Sequence, residues 1–278
     1  MKKEKLGILG NVLMIVCSIV IIYPLLWLLG ASFKSNNEIF TTQGILPKEI
    51  TFEGYVKGWQ GIGQITFSRF FNNSMLLTVP TVILTIISSC LVAYGFSRFN
   101  FKGKKLLFGL MLSTMMLPNS IIMIPRYIIF MRFGWLNSYK PFYALALFAA
   151  NPFFQYLLIQ FFRGIPRELD ESAYLDGCSS VKILTSIIAP LAKASIVSAA
   201  LFQFLWTWND FNNALIYIDS VKKYPVSLGL RLSIDSDAKV GWNKVTAMTV
   251  LGMLPCVILF FIFQKSFVEG VAKSGLKG

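Results

Sequence analysis

Long runs of apolar residues constrain the fold of this chain more than any other feature. A helix needs about 20 apolar residues to cross a bilayer, and runs near that length recur along the whole sequence. We place six spans at about 6–33, 73–96, 106–131, 141–162, 194–218 and 245–263. Charged residues make up only 14% of the chain, and the mean hydropathy is +0.63. The sequence therefore predicts an all-α membrane protein, with six transmembrane helices in a single domain covering 1–278.

The net charge of +13 does not indicate nucleic-acid binding. Lysines and arginines cluster at the ends of apolar runs, as in membrane proteins, and form no basic stripe interleaved with aromatic residues. The chain has no histidine, and its four cysteines form no CxxC pair. These absences argue against a metal site, a disulfide framework and an intramembrane enzyme, so no catalytic residue, cofactor or metal is expected.

Basic residues beside the apolar runs indicate the orientation. Lys2, Lys3 and Lys5 precede the first run, which is too long for a signal peptide and lacks a small-residue cleavage site. The densest basic loop follows the second run and holds Arg98, Lys102, Lys104 and Lys105. Positive loops stay on the cytoplasmic side. We therefore expect both termini, and the polar segment 163–193, in the cytoplasm.

Proline and small polar residues predict details of the spans. Asn72, Asn73 and Ser74 are candidate N-caps for the second helix, and Pro80 could kink it. Pro118 and Pro125 predict that the third helix is bent or broken.

Few polar side chains lie at membrane depth. We interpret Arg126 as an arginine that extends to the lipid interface, with a substrate contact as the alternative, and Asn119 and Asn151 as hydrogen-bonding groups between packed helices. The best candidates for a translocation path are Trp206, Asn209 and Asp210, whose ring, amide and carboxylate could stack on and hydrogen-bond to a sugar. An aromatic belt with polar end residues is the alternative interpretation of this segment.

The segment from Glu168 to Pro190 is the one long interior stretch that is both polar and patterned. Acidic residues fill the first turn of a helix predicted over 167–176, and Gly177 is placed to end it. Ser179 or Ser180 can cap a second helix. Ala173 and Gly177 leave one side of the first helix with little bulk, where another backbone could approach. The acidic surface disfavours anionic lipid and favours a protein groove.

This segment resembles the cytoplasmic loop of ABC-importer permeases, whose pattern is E-A-A-x3-G-x9-I-x-L-P. The matching residues are Glu171, Ser172, Ala173, Gly177, Ile187, Ala189 and Pro190. Ser172 and Ala189 depart from the pattern but keep its small or apolar character. The segment FLWTWNDFNNAL and the terminal Gly270, Gly275, Lys277 and Gly278 are similar to the MalG-like permeases of carbohydrate importers.

The resemblance implies a non-catalytic transport subunit of the bacterial inner (plasma) membrane. Its partners would be an ATPase dimer, a different second permease and an extracytoplasmic solute-binding protein. ATP would be bound by the ATPase, because this chain has no G-x4-G-K-[ST] loop. The residues expected to couple to the ATPase are Glu171, Ser172, Ala173, Asp176, Gly177, Ile187 and Pro190.

The transported solute would be a sugar or oligosaccharide, with glycerol phosphate or another polar solute as an alternative within the same family. An independent secondary transporter is a further alternative. It would call for buried ionisable residues or paired broken helices for ion coupling.

Overall fold

The computed structural model describes the backbone of residues 8–235 and 241–275 and the side chains of 8–234 and 241–265. Lys2, Lys3 and Lys5, which carry part of the orientation prediction, lie outside the described residues, as do Lys277 and Gly278 of the tail. Within those ranges the ordered elements are helices, with no strand. The all-α prediction is confirmed.

Fourteen helices follow one another along the described chain. They are α1 Ile8–Ala31, α2 Asn36–Thr41, α3 Glu53–Gln60, α4 Phe67–Arg98, α5 Lys104–Met115, α6 Asn119–Arg132, α7 Lys140–Leu147, α8 Pro152–Arg163, α9 Glu168–Leu175, α10 Ser180–Leu191, α11 Lys193–Trp208, α12 Phe211–Tyr217, α13 Val226–Asp235 and α14 Trp242–Gly275. A short 3-10 turn, Val221–Lys223, precedes α13.

Among the described residues, four helical stretches are long and apolar enough to cross a membrane. They are α1, α4, the α7–α8 segment and Trp242–Lys265 of α14. The count rises to six if two sharply bent pairs each form one span. These pairs are α5 with α6, bent by 104°, and α10 with α11, bent by 84°. The predicted break in the third span is confirmed, because Pro118 stands directly before α6.

Residue contacts divide the chain into two compact units, and the expectation of one domain stays a prediction. The first unit comprises residues 1–69 and 229–254. In it Gly54 and Gly58 of α3 lie against Asn243 and Met248 of α14, where a β-carbon would collide with the neighbouring helix. Lys34 is fully buried, and its ammonium group donates hydrogen bonds to Thr42 and to the Gly44 carbonyl.

The second unit comprises residues 70–228 and 255–278 and holds both candidate regions. Its larger core joins α4, α8, α9, α10 and α11 through fully buried side chains such as Phe154, Phe162, Ile183 and Ile188. A second core gathers around Tyr217 of α12, with Phe130 and Phe142 edge-on to its ring.

The predicted caps of the second helix are wrong, because α4 starts earlier, at Phe67. Asn73 and Ser74 lie inside α4 and hold the segment that leads into α13. The Asn73 amide donates to the carbonyls of Lys222 and Tyr224, and the Ser74 hydroxyl accepts from the Val226 amide. Pro80 stays within the continuous helix α4.

The predicted fifth span, 194–218, is also wrong as one continuous helix. It is interrupted at Asn209 and Asp210, where α11 ends and α12 begins. The Asp210 carboxylate accepts a hydrogen bond from the Asn213 amide, which is how an N-cap starts a new helix. The side chain that we expected to line a continuous helix therefore ends one helix and begins the next.

Candidate functional site

A cavity of about 1200 Å³ lies within the second unit. Its walls come from α4, α5, α6, α7, α8, α11 and α12 and from the breaks between them. Much of the lining is apolar, but fifteen side chains carry polar groups into a region that the sequence marks as membrane: Thr81, Thr85, Thr114, Asn119, Arg126, Asn151, Gln155, Gln203, Trp206, Thr207, Asn209, Asp210, Asn212, Asn213 and Tyr217. This mixture of apolar walls and a few convergent polar groups is typical of small-molecule sites.

Arg126 lies differently from our preferred interpretation, whereas Asn119 and Asn151 make hydrogen bonds inside the bundle. Arg126, which we interpreted as an arginine at the lipid interface, lines the cavity, and its guanidinium donates to the Asn119 side chain at 3.3 Å. Asn151 caps α8 by accepting from the Phe153 amide at 3.3 Å, and it also faces the cavity. All three belong to the wall of one polar cavity.

The Asp210 carboxylate is hydrogen-bonded to the first turn of α12, the helix that it caps. One carboxylate oxygen accepts from the Asn213 backbone amide at 3.1 Å and the other from the Asn213 side chain at 2.8 Å. The side-chain amide of Asn209 donates a hydrogen bond to the Leu205 carbonyl at 2.8 Å, and Asn209 is exposed. The carboxylate is thus held in a fixed direction on the cavity wall.

Trp206 gives the cavity a flat aromatic surface. Its ring is 45% exposed and packs against Phe153 and Phe154, with centroids 5.0 and 5.2 Å away. Rings held this way are rigid, so the open part of the indole is a ready surface for stacking.

Two buried glutamines in the cavity wall escaped the sequence prediction. Gln155 donates to Ser89 at 3.0 Å, and Gln203 donates to Thr207 at 2.6 Å. A polar amide inside an apolar run is the signal that could have found them, because such groups at membrane depth face other polar groups or a water-filled space.

The second candidate region is α9, which has a buried and an exposed face. Asp170 and Ala173 are almost fully buried, and Ala173 packs into the larger core of the second unit. The small size of Ala173 therefore fits packing inside this chain. The exposed residues of this helix and its C-cap include Glu168, Glu171, Ser172, Leu175 and Asp176. Leu175 is 90% exposed, which is unusual for a large apolar side chain.

A buried ion pair joins the inner face of α9 to the end of α4. Arg98 Nε lies 2.9 Å from Asp170 Oδ2, and both side chains are less than a tenth exposed. Arg98 also donates to the Ile165 carbonyl at 3.1 Å, and Arg167 donates to the Ser97 carbonyl at 3.3 Å. Burial raises the pKa of the Asp170 carboxyl, while the positive charges of Arg98 and Arg167 act to lower it.

Sequence reasoning missed this pair. It took Arg98 as an orientation signal and Asp170 as a charge favourable to the helix dipole. The spacing of Arg167, Asp170 and Ala173, three residues apart on one helix face, was the available signal.

The segment after α9 follows the predicted pattern. Gly177 has a left-handed φ of 77°, with open space where a β-carbon would stand, and Ser179 caps α10 by accepting from the Lys182 amide. Residues Leu184–Ile188 of α10 form a π-helical turn. Ile187 packs against the core, and Pro190 is exposed just before the sharp bend into α11.

Neither region offers a metal site. In the part of the chain that the structure describes, no group of three or more Cys, Asp or Glu side chains could hold a metal ion.

Comparison with known proteins gives consistent matches. Residues 82–273 match the family described as "Binding-protein-dependent transport system inner membrane component". The chain is 36% identical over 264 residues to the probable ABC transporter permease protein YurM of Bacillus subtilis, covering 94% of this chain and 85% of the relative. It is 30% identical over 276 residues to the trehalose/maltose transport system permease protein MalG of Thermococcus litoralis, covering 99% and 98%.

A solved structure has the same fold. It is described as a bacterial ABC transporter involved in the import of the acidic polysaccharide alginate, and it matches with a TM-score of 0.83 at 23% identity. The match covers 94% of this chain and 96% of that chain.

Proposed function

The chain belongs to the family of binding-protein-dependent transport system inner membrane components, and we propose that it forms part of the path by which an ABC importer moves a sugar or oligosaccharide across the membrane. It is a multi-pass membrane permease. We place both termini and the loop 163–193 in the cytoplasm, from the basic residues that flank the spans.

The polar lining of the cavity is the observation that carries the assignment to a sugar. Sugar hydroxyls need both donors and acceptors, and Asn119, Asn209 and Asp210 offer both in the cavity lining. Trp206 adds a rigid aromatic surface on which the apolar face of a sugar ring can stack. A cavity of about 1200 Å³ has room for more than one sugar ring.

The exposed face of α9 is the surface that we assign to the ATPase. Glu171, Ser172, Leu175 and Asp176 would contact the partner, with Leu175 as the apolar anchor. Gly177 ends the helix so that this face stands free. Ala173, Ile187 and Pro190 then contribute indirectly, because packing of Ala173 and Ile187 and the bend after Pro190 fix where that face lies.

In the proposed transport cycle, ATP binding and solute translocation are carried out by different chains. ATP binds to the ATPase dimer and not to this subunit, which lacks a phosphate-binding loop of the G-x4-G-K-[ST] type and is not itself catalytic. Closure of that dimer would move α9, while a solute-binding protein outside the cell delivers solute to this chain and a second, different permease. Short helices with defined ends suit such rigid-body movement.

Glycerol phosphate is the competing solute within the family. Arg126 favours it, since a guanidinium in the cavity wall suits a phosphate. The Arg126 side chain is already hydrogen-bonded to Asn119, and the remaining polar lining is mainly amide, which favours a neutral sugar.

Reconstituted transport tests the proposal. The chain is placed in liposomes with its second permease, ATPase and binding protein, and uptake of labelled maltose, trehalose, alginate oligosaccharide and glycerol 3-phosphate is followed with and without ATP. We expect ATP-dependent uptake of a saccharide. Solute uptake by this chain alone without ATP would contradict the proposal and favour a secondary transporter. Uptake confined to glycerol phosphate would reject the sugar assignment.

A further inference from the structure

The inner face of α9 is fastened to the end of α4 by two polar contacts. The first is the buried ion pair between Arg98 and Asp170, at 2.9 Å. The second is the hydrogen bond from Arg167 to the carbonyl of Ser97, at 3.3 Å. Arg98 also donates a hydrogen bond to the Ile165 carbonyl, in the connection that leads into α9. Three separate backbone or side-chain groups thus hold the start of α9 at one end of α4.

The other face of α4 reaches the cavity. Thr81, Thr85, Val92 and Phe96, all on α4, are part of the cavity wall. Phe96 is two residues from Arg98, so the ion pair and the cavity wall lie on the same last turns of one helix. The contacts therefore run without interruption from the exposed face of α9, through Asp170 and Arg98, into a wall of the cavity.

We propose that Arg98 and Asp170 are positioning residues that make α9 and α4 move as one rigid body, so that displacement of α9 by the ATPase reaches the cavity through α4. This inference rests on the proposed contact between α9 and an ATPase. Neither residue contacts the ATPase or the solute, and both act through the helices that they join.

The chemistry of the pair fits a positioning role better than a purely stabilising one. Desolvation of two buried charges offsets much of their attraction, so apolar side chains of similar size commonly stabilise a protein as well or better. What a buried arginine supplies is direction, because its planar guanidinium donates hydrogen bonds in a fixed geometry. Here the guanidinium lies 2.9 Å from the Asp170 carboxylate as a close charge contact and donates its directional hydrogen bond to the Ile165 carbonyl, and together these contacts hold the start of α9 beside α4.

Single substitutions in the reconstituted importer provide the first test. Arg98→Gln and Asp170→Asn each leave one buried group without its partner, and we expect the uptake rate to fall by about tenfold or more. The ATPase should still co-purify, and ATP hydrolysed per solute transported should rise, because α9 would move without α4. Lys102→Gln alters an exposed charge beside the same end of α4, outside α9, and should behave like the unsubstituted protein.

A covalent rescue separates positioning from folding. In a chain whose four native cysteines are replaced by serine, Arg98→Cys and Asp170→Cys are combined and then joined by a short bifunctional thiol reagent. We expect the double substitution to lose uptake, the cross-link to restore at least half of it, and reduction of a cleavable cross-linker to abolish it again. Restoration would support a mechanical link, since the cross-link restores no charge.

Two outcomes would overturn the inference. The first is normal uptake and normal ATP consumption in both single variants, and the second is loss of uptake in an assembled double-cysteine variant that the cross-link fails to restore. A parallel variant, Leu175→Asp on the exposed face, distinguishes failure of the underlying function. If Leu175→Asp also retains uptake and ATPase binding, α9 is not the ATPase contact.

Discussion

The cavity and α9 lie in the same unit of the chain, yet they are built in opposite ways. The residues of α9 follow one another in a short stretch, and the local sequence alone predicts about where the helix begins and ends. The cavity wall comes from seven helices, and its polar groups become neighbours only through the fold.

The difference shows which kind of function a local pattern can encode. A surface that binds one constant partner can be contained in a single helix with fixed ends. A chamber that must enclose a solute needs walls on several sides, so its residues are scattered along the chain. Substitutions in α9 should therefore act on every solute alike, whereas substitutions in the cavity should act on some solutes more than on others.

The largest effect is expected at the end of α9. Gly177→Arg places a branched, charged side chain at a φ of 77°, which L-residues adopt only with strain, and beside the proposed ATPase surface. We expect ATPase co-purification to weaken by about 30-fold or more, which corresponds to about 2 kcal/mol, and uptake of every solute to fall in parallel.

Gly177→Asn is the matched control, because asparagine tolerates left-handed backbone. It should lose far less than the arginine variant. Equal losses in the two variants would mean that backbone strain, and not the docking surface, explains the effect.

A solute-dependent effect is expected at Asp210. Asp210→Asn keeps a side chain that caps α12 but removes the charge, whereas Asp210→Ala also removes the cap, which costs about 1 kcal/mol. We expect Asp210→Asn to raise the KM for a saccharide about tenfold with the maximal rate nearly unchanged, as loss of one charged hydrogen bond predicts.

The KM should be compared across the saccharides that the importer takes up, together with the thermal stability of each purified variant. If Asp210→Asn lowers all uptake equally and leaves every KM unchanged, Asp210 is a helix cap and no part of the solute path.

A pH effect is expected at the inner face of α9. Burial raises the pKa of Asp170 above 3.8, and the charges of Arg98 and Arg167 oppose that rise. The Tyr94 hydroxyl faces the same carboxylate, and Tyr174 faces Tyr94. A raised pKa means that the native state holds the proton more tightly than the unfolded state does. Its contribution to stability is therefore present at low pH and lost as pH rises through the raised pKa.

In Arg98→Gln one opposing charge is gone, so the pKa of Asp170 should rise further. Protonation would then partly relieve the unpaired carboxylate. We expect uptake by Arg98→Gln, relative to the unsubstituted protein, to be several-fold better at about pH 5.5 than at about pH 7.5. The comparison requires the external and internal buffers to be changed together, and an equal defect at both pH values would contradict it.

The smallest effect is expected at Ala149, between α7 and α8. Its φ of 51° is left-handed, which costs an L-residue about 1 kcal/mol or more. Ala149→Gly should relieve that strain and raise the stability of the purified protein by about 0.5 kcal/mol, with the flexibility of glycine in the unfolded chain offsetting part of the gain. Thermal unfolding in detergent measures it, and a lower midpoint would show that the alanine methyl group contributes packing that outweighs the strain.

The sequence predicts the apolar spans, the break at Pro118 and a helix over 167–176, which the structure has at Glu168–Leu175, because each depends on periodicity, on proline or on glycine close by in the chain. It did not predict that Asp170 turns inward to meet Arg98. An acidic residue in the first turn of a helix has a sufficient local explanation, and its partner is far away in sequence. Arg126 was misplaced for a related reason, since its depth in a span was estimated from a straight helix and the structure bends that span by 104°.

Three breaks between helices of the second unit contribute residues to the cavity wall. The break before α6 contributes Leu117 and Asn119, the break before α8 contributes Ala149 to Asn151, and the break before α12 contributes Asn209 and Asp210. At such interruptions the last carbonyls of one helix and the first amides of the next have no partner within their own helix, so main-chain groups can take part in lining the opening. Main-chain groups are not altered by side-chain substitution. A chamber built partly from them keeps a basic affinity for polar solutes through successive mutations, while its side chains are free to change which solute fits. On this scaffold, new transport specificities would be reached by few substitutions and without rebuilding the path.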